Sequence, residues 1–361
     1  LHTAYRRQRQ MCIRDSDISQ HHFYKNKFEK MYSGENTEEL TISMPEKLKL
    51  SLHDPTTIHS LTPSYKDSPG SHKMSTATEA VYTPVNVKIE YSLKNPRTGL
   101  AFVGGKGSQI SKSEWHAYTV NSDYGVSTSS WVPCVDSLWE KSTWELEISV
   151  PRTIKDIGVT RLIGSANTEP EDDEDGDESN DIVVVGGDFS NQKESAHPID
   201  MAKKLVSYSI FNPTAAQHIG WSVGPYVQVP LINLQEEEEP ELMEEKDTTA
   251  VPASIYCLPS QKDDVVNTTI FLYKAIDFYS REFGSFPFTS YALVFVSDID
   301  ADVCGFAGLS VLSKRLVYAP NVIEPIYTST YALSVALSEQ WSGINVTPKT
   351  FNDSWVTIGI A

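Results

Sequence analysis

The chain has 361 residues and a formal net charge of −18, a length that suits two domains of ordinary size. The charge is concentrated, because residues 169–181 carry a net −9 and residues 236–247 a net −7, and the rest is nearly neutral. This balance excludes a DNA-binding face built on charge alone. Such acidic runs are usually solvated segments, and the alternative is a tail that binds a basic partner.

The cysteines and the apolar runs exclude two further classes of protein. No apolar run reaches the length of a membrane span, so we expect no membrane contact. No C-x-x-C pair is present, which argues against a cysteine zinc site. Scattered thiols suit a reducing compartment, and they are Cys12, Cys134, Cys257 and Cys304.

Both ends of the chain look irregular. Residues 1–16 hold four arginines and no apolar period, so we interpret them as a non-native or disordered segment. A basic nuclear-targeting tract is the alternative. At the other end, Ala361 falls in the middle of a motif, and we expect the chain to be a fragment.

Alternating apolar and polar residues predict β-strands through the first part of the chain. Short strands at this spacing, with turn residues between them, favour a β-sandwich. We place this β domain at residues 17–235, with the acidic loop 169–181 inside it and an acidic linker at 236–250. The strand pattern is found at residues 40–44, 48–52, 85–91, 100–103, 143–150 and 207–213.

Residues 251–361 predict a second domain of helices and buried strands. Strands are expected at 253–257, 291–296 and 310–313, and a helix after Pro325. Another helix begins at Asn267 or Thr268 and ends at Gly284. Its apolar residues recur at helical spacing and form one stripe: Leu272, Ile276, Tyr279 and Phe283.

The stretch from Val335 to Ala361 has the spacing of a zinc-peptidase core. In the gluzincin aminopeptidases, a helix carries the motif H-E-x-x-H-Q-W-x-G. It is followed by a W-N-D-x-W segment and then by the third zinc ligand, a glutamate in x-E-G-F-A. This chain resembles that family at its framework positions, which are Gln340, Trp341, Gly343, Asn352, Asp353, Trp355, Gly359 and Ala361. A fairly specific match to a packing corner of the family's N-terminal domain lies at Pro133, Cys134 and Asp136, and the family's helix is echoed at Tyr279, Phe283, Gly284 and Pro287.

The chemical positions of that motif carry other residues. Val335 and Glu339 stand where the two histidines would be, Ala336 where the general base would be, and Ile358 where the third zinc ligand would be. Ala307 stands where the family's glutamate holds the substrate amine.

Catalytic zinc takes three protein ligands, and one carboxylate is too few. No histidine follows His218, so the second domain has no imidazole of its own. We predict no metal, no cofactor and no catalytic residue. We also expect Val335 and Ile358 to fill the former site as core, and Glu339 to face solvent or a polar neighbour.

A second possible ion site lies at Asp298, Asp300 and Asp302. Three carboxylates on one short segment could hold an oxygen-ligated cation. A solvated loop is the interpretation we favour.

The resemblance implies an α+β fold: an aminopeptidase-type N-terminal β-sandwich followed by the first part of a thermolysin-like α/β domain, truncated. Among such proteins, the chain resembles the aminopeptidase-like, zinc-free members that serve in the general transcription factor TFIID. This implies a nuclear, non-catalytic scaffold in RNA polymerase II initiation, without a small-molecule substrate. Its partners would be other TFIID subunits and, through the complex, core promoter DNA or chromatin. The alternatives are an active zinc aminopeptidase and an inactive peptide-binding relative outside transcription.

Overall fold

The computed structural model describes residues 42–43 and, with gaps, the chain from residue 85 onward. The segments predicted at 1–16, 48–52 and 236–247 lie outside the described residues, as does most of the acidic loop 169–181. The described residues are 42–43, 85–94, 96, 98–105, 107–121, 128–138, 140–162, 181–187, 192–231, 251–349 and 353–361.

The chain divides into two compact units, and the smaller one is Asn36–Ser92. Its described residues 85–92 carry no strand, so the strand predicted at 85–91 is wrong. The alternation is present, but Val85, Val87, Ile89 and Tyr91 are all exposed. A strand needs a hydrogen-bonded neighbour as well as a period of two, and a sequence pattern supplies only the period.

The larger unit contains twelve strands and four helices over its described residues. The strands are β1 (Leu100–Val103), β2 (His116–Thr119), β3 (Lys141–Pro151), β4 (Val183–Gly186), β5 (Lys193–Ala196), β6 (Lys203–Ala215), β7 (Trp221–Gly224), β8 (Val227–Pro230), β9 (Ala253–Cys257), β10 (Tyr291–Val296), β11 (Val303–Phe306) and β12 (Leu309–Ser313). The helices are α1 (Lys262–Thr269), α2 (Leu272–Phe283), α3 (Ile326–Ser338) and α4 (Ser354–Ile360).

These strands form three sheets. Sheet A has the order β1-β2-β7-β4, and sheet B has the order β3-β6-β5; both are antiparallel. Sheet C has the order β11-β12-β10-β9-β8, and its three inner strands β12, β10 and β9 are parallel. The α+β class predicted from the sequence is confirmed, with the all-β part ahead of the part that contains the helices.

Sheet C also continues across the predicted linker. β8 lies before residues 236–250 and β9 lies after them, and the two strands pair with Val227 opposite Cys257. The sheet therefore contains strands from both sides of the predicted linker. The division into domains at residues 236–250 stays a prediction.

Alternating burial shows that the sheets are stacked. Val184 on β4 packs with Val150 and Val206 of sheet B, whereas its neighbour Val185 packs with sheet C. Sheet A is thus a middle layer, because successive side chains of a strand point to opposite faces.

The strands of sheet C are buried on both faces, as parallel strands between two layers must be. On β10, Leu293 and Phe295 face the helices, and Val294 and Val296 face sheet A. All side chains of β10 are at most 1% exposed. Helix α3 covers the outer face of sheet C through a set of buried side chains that includes Leu333, Ala336 and Leu337.

The helix predicted to start at Asn267 or Thr268 begins earlier and is two helices. Asn267 and Thr268 lie inside α1, which starts at Lys262, and α2 follows after Phe271. The missed start signals are Pro259, in the turn just before α1, and the acidic residues of its first turn. The predicted end at Gly284 is correct, since this glycine has φ +91°, a conformation that favours glycine.

A tight junction joins sheet A to sheet C where β11 turns into β12. The amide of Ala307 donates a hydrogen bond to the carbonyl of His218, at 2.8 Å. A Cβ at Gly187 would lie 1.9 Å from the carbonyl oxygen of Ala307, and a Cβ at Gly220 would meet the ring of Phe306. Glycine is required at these two positions by close approach.

This junction predicts a specific loss of stability for Gly187→Ala. The added methyl group meets backbone, which cannot move aside as a flexible side chain does, so we expect a cost of about 1–3 kcal/mol. Gly359→Ala is the matched control, since nothing lies within 4 Å of that site and alanine favours helix. Urea unfolding compares the variants, and a change below about 0.5 kcal/mol for Gly187→Ala would refute the close contact.

Candidate functional site

Helix α3 and the turn after it carry most of the positions that the motif singles out. Pro325 precedes the helix, and Val335 and Ala336 lie in its last turns. Glu339 follows as its C-terminal cap residue. The apolar composition of α3 lets it bury one side against sheet C and leave its end beside the β11–β12 turn.

The framework residues after α3 hold this end in place. Gln340 is fully buried, and its Oε1 accepts a hydrogen bond from the amide of Gly308, at 2.9 Å. The Trp341 indole donates to the carbonyl of Gly284, at 3.0 Å, and packs edge-on against Phe286. These two motif residues tie the helix end to the sheet and to the end of α2, which is a structural role.

Two of the singled-out positions are closed to solvent. Ala336, at the place of the general base, is 0% exposed, and Ala307, at the place of the amine anchor, is 2% exposed. The hydroxyl of Ser310 donates to the carbonyl of Ala336 at 3.4 Å. Helix and sheet approach closely here because alanine has the smallest side chain that favours helix.

The remaining positions line an open cavity of about 330 Å³ at the end of α3, which we call the α3 cavity. Val335 is half-buried in its wall, and Ile358 on α4 is 75% exposed. The expectation that these two side chains fill the site as core is therefore wrong. The reason is that α4 is short and buries one side chain, Thr357, so it presents Ile358 outward.

Glu339 lies half-buried in the wall of the α3 cavity. Its Oε2 lies against Gly305 of β11, so close that a Cβ there would be 2.9 Å from it. Asn121, which also lines the cavity, donates its side-chain amide to the carbonyl of Gly305 at 2.7 Å. Glu339 thus faces a polar, partly open space, as expected for a carboxylate at this depth.

The cavity contains an imidazole that the sequence did not assign to it. His218 ends a turn between β6 and β7 of the β domain, and it lines the cavity opposite α3. No local motif marks it, because it reaches the cavity through tertiary contacts such as the hydrogen bond from the Ala307 amide to the His218 carbonyl. The sequence shows that no histidine follows His218. It does not show that the turn between β6 and β7 places His218 itself at this cavity.

The His218 ring is held in an unusual environment. Both ring nitrogens are buried, and neither has a hydrogen-bond partner among the residues that the structure describes. Burial lowers the pKa of the imidazole to about 4, and the Lys141 ammonium acts in the same direction. The ring is therefore neutral at pH 7.

These residues do not fit a catalytic zinc. The motif positions offer one carboxylate, Glu339, and the opposite wall offers one imidazole, His218. Zinc in a peptidase site takes three protein ligands. Nowhere in the described part of the chain do three His, Cys, Asp or Glu side chains come together as a metal site would require.

Arg315 lies against the segment that holds Asp298, Asp300 and Asp302, the alternative cation site considered from the sequence. Arg315 Nη2 donates to the carbonyl of Ile299 at 3.2 Å, to that of Asp300 at 2.8 Å and to Asp302 Oδ1 at 3.4 Å. Of the three aspartate carboxylates, that of Asp302 is contacted by a guanidinium, whose positive charge would repel a cation at that carboxylate.

Two further cavities are less suited to chemistry. One, of about 500 Å³ beside Trp341, is lined, as far as the described residues show, by apolar and uncharged polar side chains. The other, of about 290 Å³ in the β domain, is lined by charges that form ion pairs, such as Arg161 with Asp156 and Lys204 with Glu194. Across the described residues, no helix combines the length and the apolar character needed to cross a membrane.

The burial of these positions predicts what restoring the zinc motif would do. Ala336→Glu places a carboxylate in a fully buried site and should cost at least about 3 kcal/mol. Ile358→Glu changes an exposed side chain and should stay within about 0.5 kcal/mol of the parent. Chemical unfolding of both variants checks this pair, and equal costs would contradict the placement of the two residues.

Comparisons with known proteins agree with the motif pattern. No protein-family model matches the chain. Transcription initiation factor TFIID subunit 2 of Saccharomyces cerevisiae is 33% identical over 96% of this chain and 31% of its own length. The Schizosaccharomyces pombe protein of the same name is 33% identical over 77% of this chain and 25% of its length. Aminopeptidase N of Streptomyces lividans is 29% identical over 32% of this chain and 14% of its own length.

A solved M1 zinc metallopeptidase from Deinococcus radiodurans has a TM-score of 0.45 and 16% identity, over 68% of this chain and 44% of that one. That likeness is too low to support an argument. The chain spans less than a third of the length of the curated TFIID relatives. Over nearly all of its own length, the chain resembles subunit 2 of the transcription initiation factor TFIID.

Proposed function

We propose that this chain is part of a non-catalytic scaffold subunit of TFIID. In this role it acts in the nucleus, in promoter recognition and pre-initiation complex assembly for RNA polymerase II. Its direct partners are other TFIID subunits, and it meets core promoter DNA or chromatin through the complex. The observation that carries the proposal is the 33% identity to TFIID subunit 2 over 96% of the chain.

The α3 cavity supports the non-catalytic part of the proposal. Peptide hydrolysis by zinc needs three ligands, an activated water and a general base. Val335, Ala336 and Ile358 have no donor atom, and Ala336 is also sealed from solvent. A scaffold needs only the shape of the fold, which Gln340 and Trp341 maintain.

The likeness to aminopeptidase N favours a second candidate, a protein of the zinc aminopeptidase family that works outside transcription. It covers 32% of this chain, against 96% for the TFIID relative. An active peptidase is opposed by the donor set of the cavity. An inactive peptide-binding relative would have the same donor set as a TFIID scaffold. The two candidates must therefore be distinguished by the proteins that each one binds.

Copurification separates the two candidates. The full-length protein that contains this chain, carrying an affinity tag at its natural level in its own cells, should recover the TATA-binding protein and other TFIID subunits. A nuclear protein with the same tag is the control. Recovery of the intact tagged protein without enrichment of the TATA-binding protein over that control would reject the proposal.

A further inference from the structure

Two side chains of β2 hold the backbone at the point where β10 ends. His116 and Tyr118 are two positions apart on the strand, so they point to the same face of sheet A. The Ser297 amide donates a hydrogen bond to His116 Nε2 at 3.1 Å, and the Tyr118 hydroxyl donates to the Ser297 carbonyl at 2.8 Å. We call this pair of contacts the β2 latch. It joins both backbone polar groups of one residue of the sheet C layer to side chains of sheet A.

The hydrogen bonds of His116 determine its protonation state. Its Nδ1 lies 2.7 Å from the carbonyl oxygen of Glu114, and because a carbonyl only accepts, Nδ1 carries the proton and donates. Its Nε2 accepts from the Ser297 amide and therefore carries no proton. The latch thus requires a neutral imidazole. A second proton on Nε2 would set one N–H group against another, and the hydrogen bond to Ser297 would be lost.

The surroundings of His116 favour its neutral form at pH 7. The side chain is 5% exposed, and the charged and titratable groups that face it are Glu114, Tyr118, Tyr226, Asp298 and Lys314. Burial lowers the pKa of the imidazole most, and the Lys314 ammonium adds to that effect. The carbonyl and carboxylate of Glu114 and the carboxylate of Asp298 act in the opposite direction, and the net result is a lowered pKa. Burial raises the pKa of both tyrosines, so they stay uncharged.

The latch holds the start of the connection between β10 and β11. Asp298 comes directly after Ser297 and has φ +58°, a left-handed conformation that is uncommon outside glycine. Further along, Arg315 donates to the carbonyls of Ile299 and Asp300. The connection ends at β11, whose residues Val303 and Gly305 line the α3 cavity. A change at the latch therefore acts on backbone that leads to this cavity.

We propose that the β2 latch is a pH-sensitive switch, which is closed while His116 is neutral and opens when His116 is protonated, releasing the start of the β10–β11 connection. The direction follows from linkage. A histidine of the unfolded chain titrates near 6.5, and burial lowers the pKa of His116 in the folded state. The latch therefore stabilises the fold fully above the unfolded value, and this stabilisation is lost as the pH falls towards the lower folded value.

Hydrogen exchange at the Ser297 amide tests the switch. The full-length protein that contains this chain is labelled at several pH values between about 8 and about 5, which span the ordinary histidine range. Overlapping peptides are read by mass spectrometry, and each rate is corrected for the pH dependence of the exchange chemistry itself. Above its pKa, the protonated fraction of His116 grows about tenfold for each pH unit of acidification. The corrected rate at Ser297 should therefore also rise about tenfold per unit.

Two variants separate His116 from its neighbour in the latch. His116→Gln retains an oxygen that accepts from the Ser297 amide and does not titrate, so its corrected rate should not change with pH. Tyr118→Phe is the matched control. It removes the other contact of the latch and keeps His116, so the rise of the Ser297 rate in acid should remain.

Three results would overturn the switch. The first is a corrected Ser297 rate in the parent protein that does not change with pH, and the second is an equal rise in the parent and in His116→Gln. The third applies even if His116→Gln does not fold, because the parent carries its own reference in the β10 amides of Leu293 and Val294, which lie inside sheet C. A local switch accelerates Ser297 alone, whereas an equal rise at Leu293 and Val294 would mean general unfolding in acid.

Discussion

The contact between the Ala307 amide and the His218 carbonyl determines the geometry of the site. This hydrogen bond, 2.8 Å long, joins the β11–β12 turn of sheet C to the turn that precedes β7 of sheet A. Gly187 and Gly220 allow the backbones and the Phe306 ring to come this close. Because the junction fixes His218 relative to the end of α3, it creates a cavity with one wall from each part of the chain.

The elements that follow from local pattern were predictable. The strands at 253–257 and 291–296 and the helix after Pro325 lie where the sequence placed them. The apolar runs and the proline that precedes α3 are local signals that point to such elements. The prediction of a strand at 85–91 was wrong because a strand also needs a hydrogen-bonded neighbour, and a local pattern gives no information about that neighbour.

The site was predictable in part. Motif spacing located Val335, Ala336 and Glu339 on one helix end, and their chemistry indicated that zinc would lack ligands. It did not show that Ile358 is exposed, because exposure depends on what packs against α4. It also did not bring in His218, which lies 121 positions before Glu339 and reaches the cavity through sheet stacking.

A zinc-peptidase motif can lose its ligands and keep its shape because different residues serve the two purposes. Gln340 bonds to the Gly308 amide and Trp341 packs on Phe286, and neither contact involves a metal. The ligand positions were therefore free to change. Their replacements leave an open cavity whose lining includes the polar side chains of Glu339 and His218.

The α3 cavity holds too few donors for a catalytic zinc ion. Elemental analysis of the full-length protein, purified with zinc present and then dialysed, tests this most directly. We expect no stoichiometric zinc, because a bound catalytic ion needs about three protein ligands. About one zinc per chain that survives dialysis and is lost in Glu339→Gln would contradict the account.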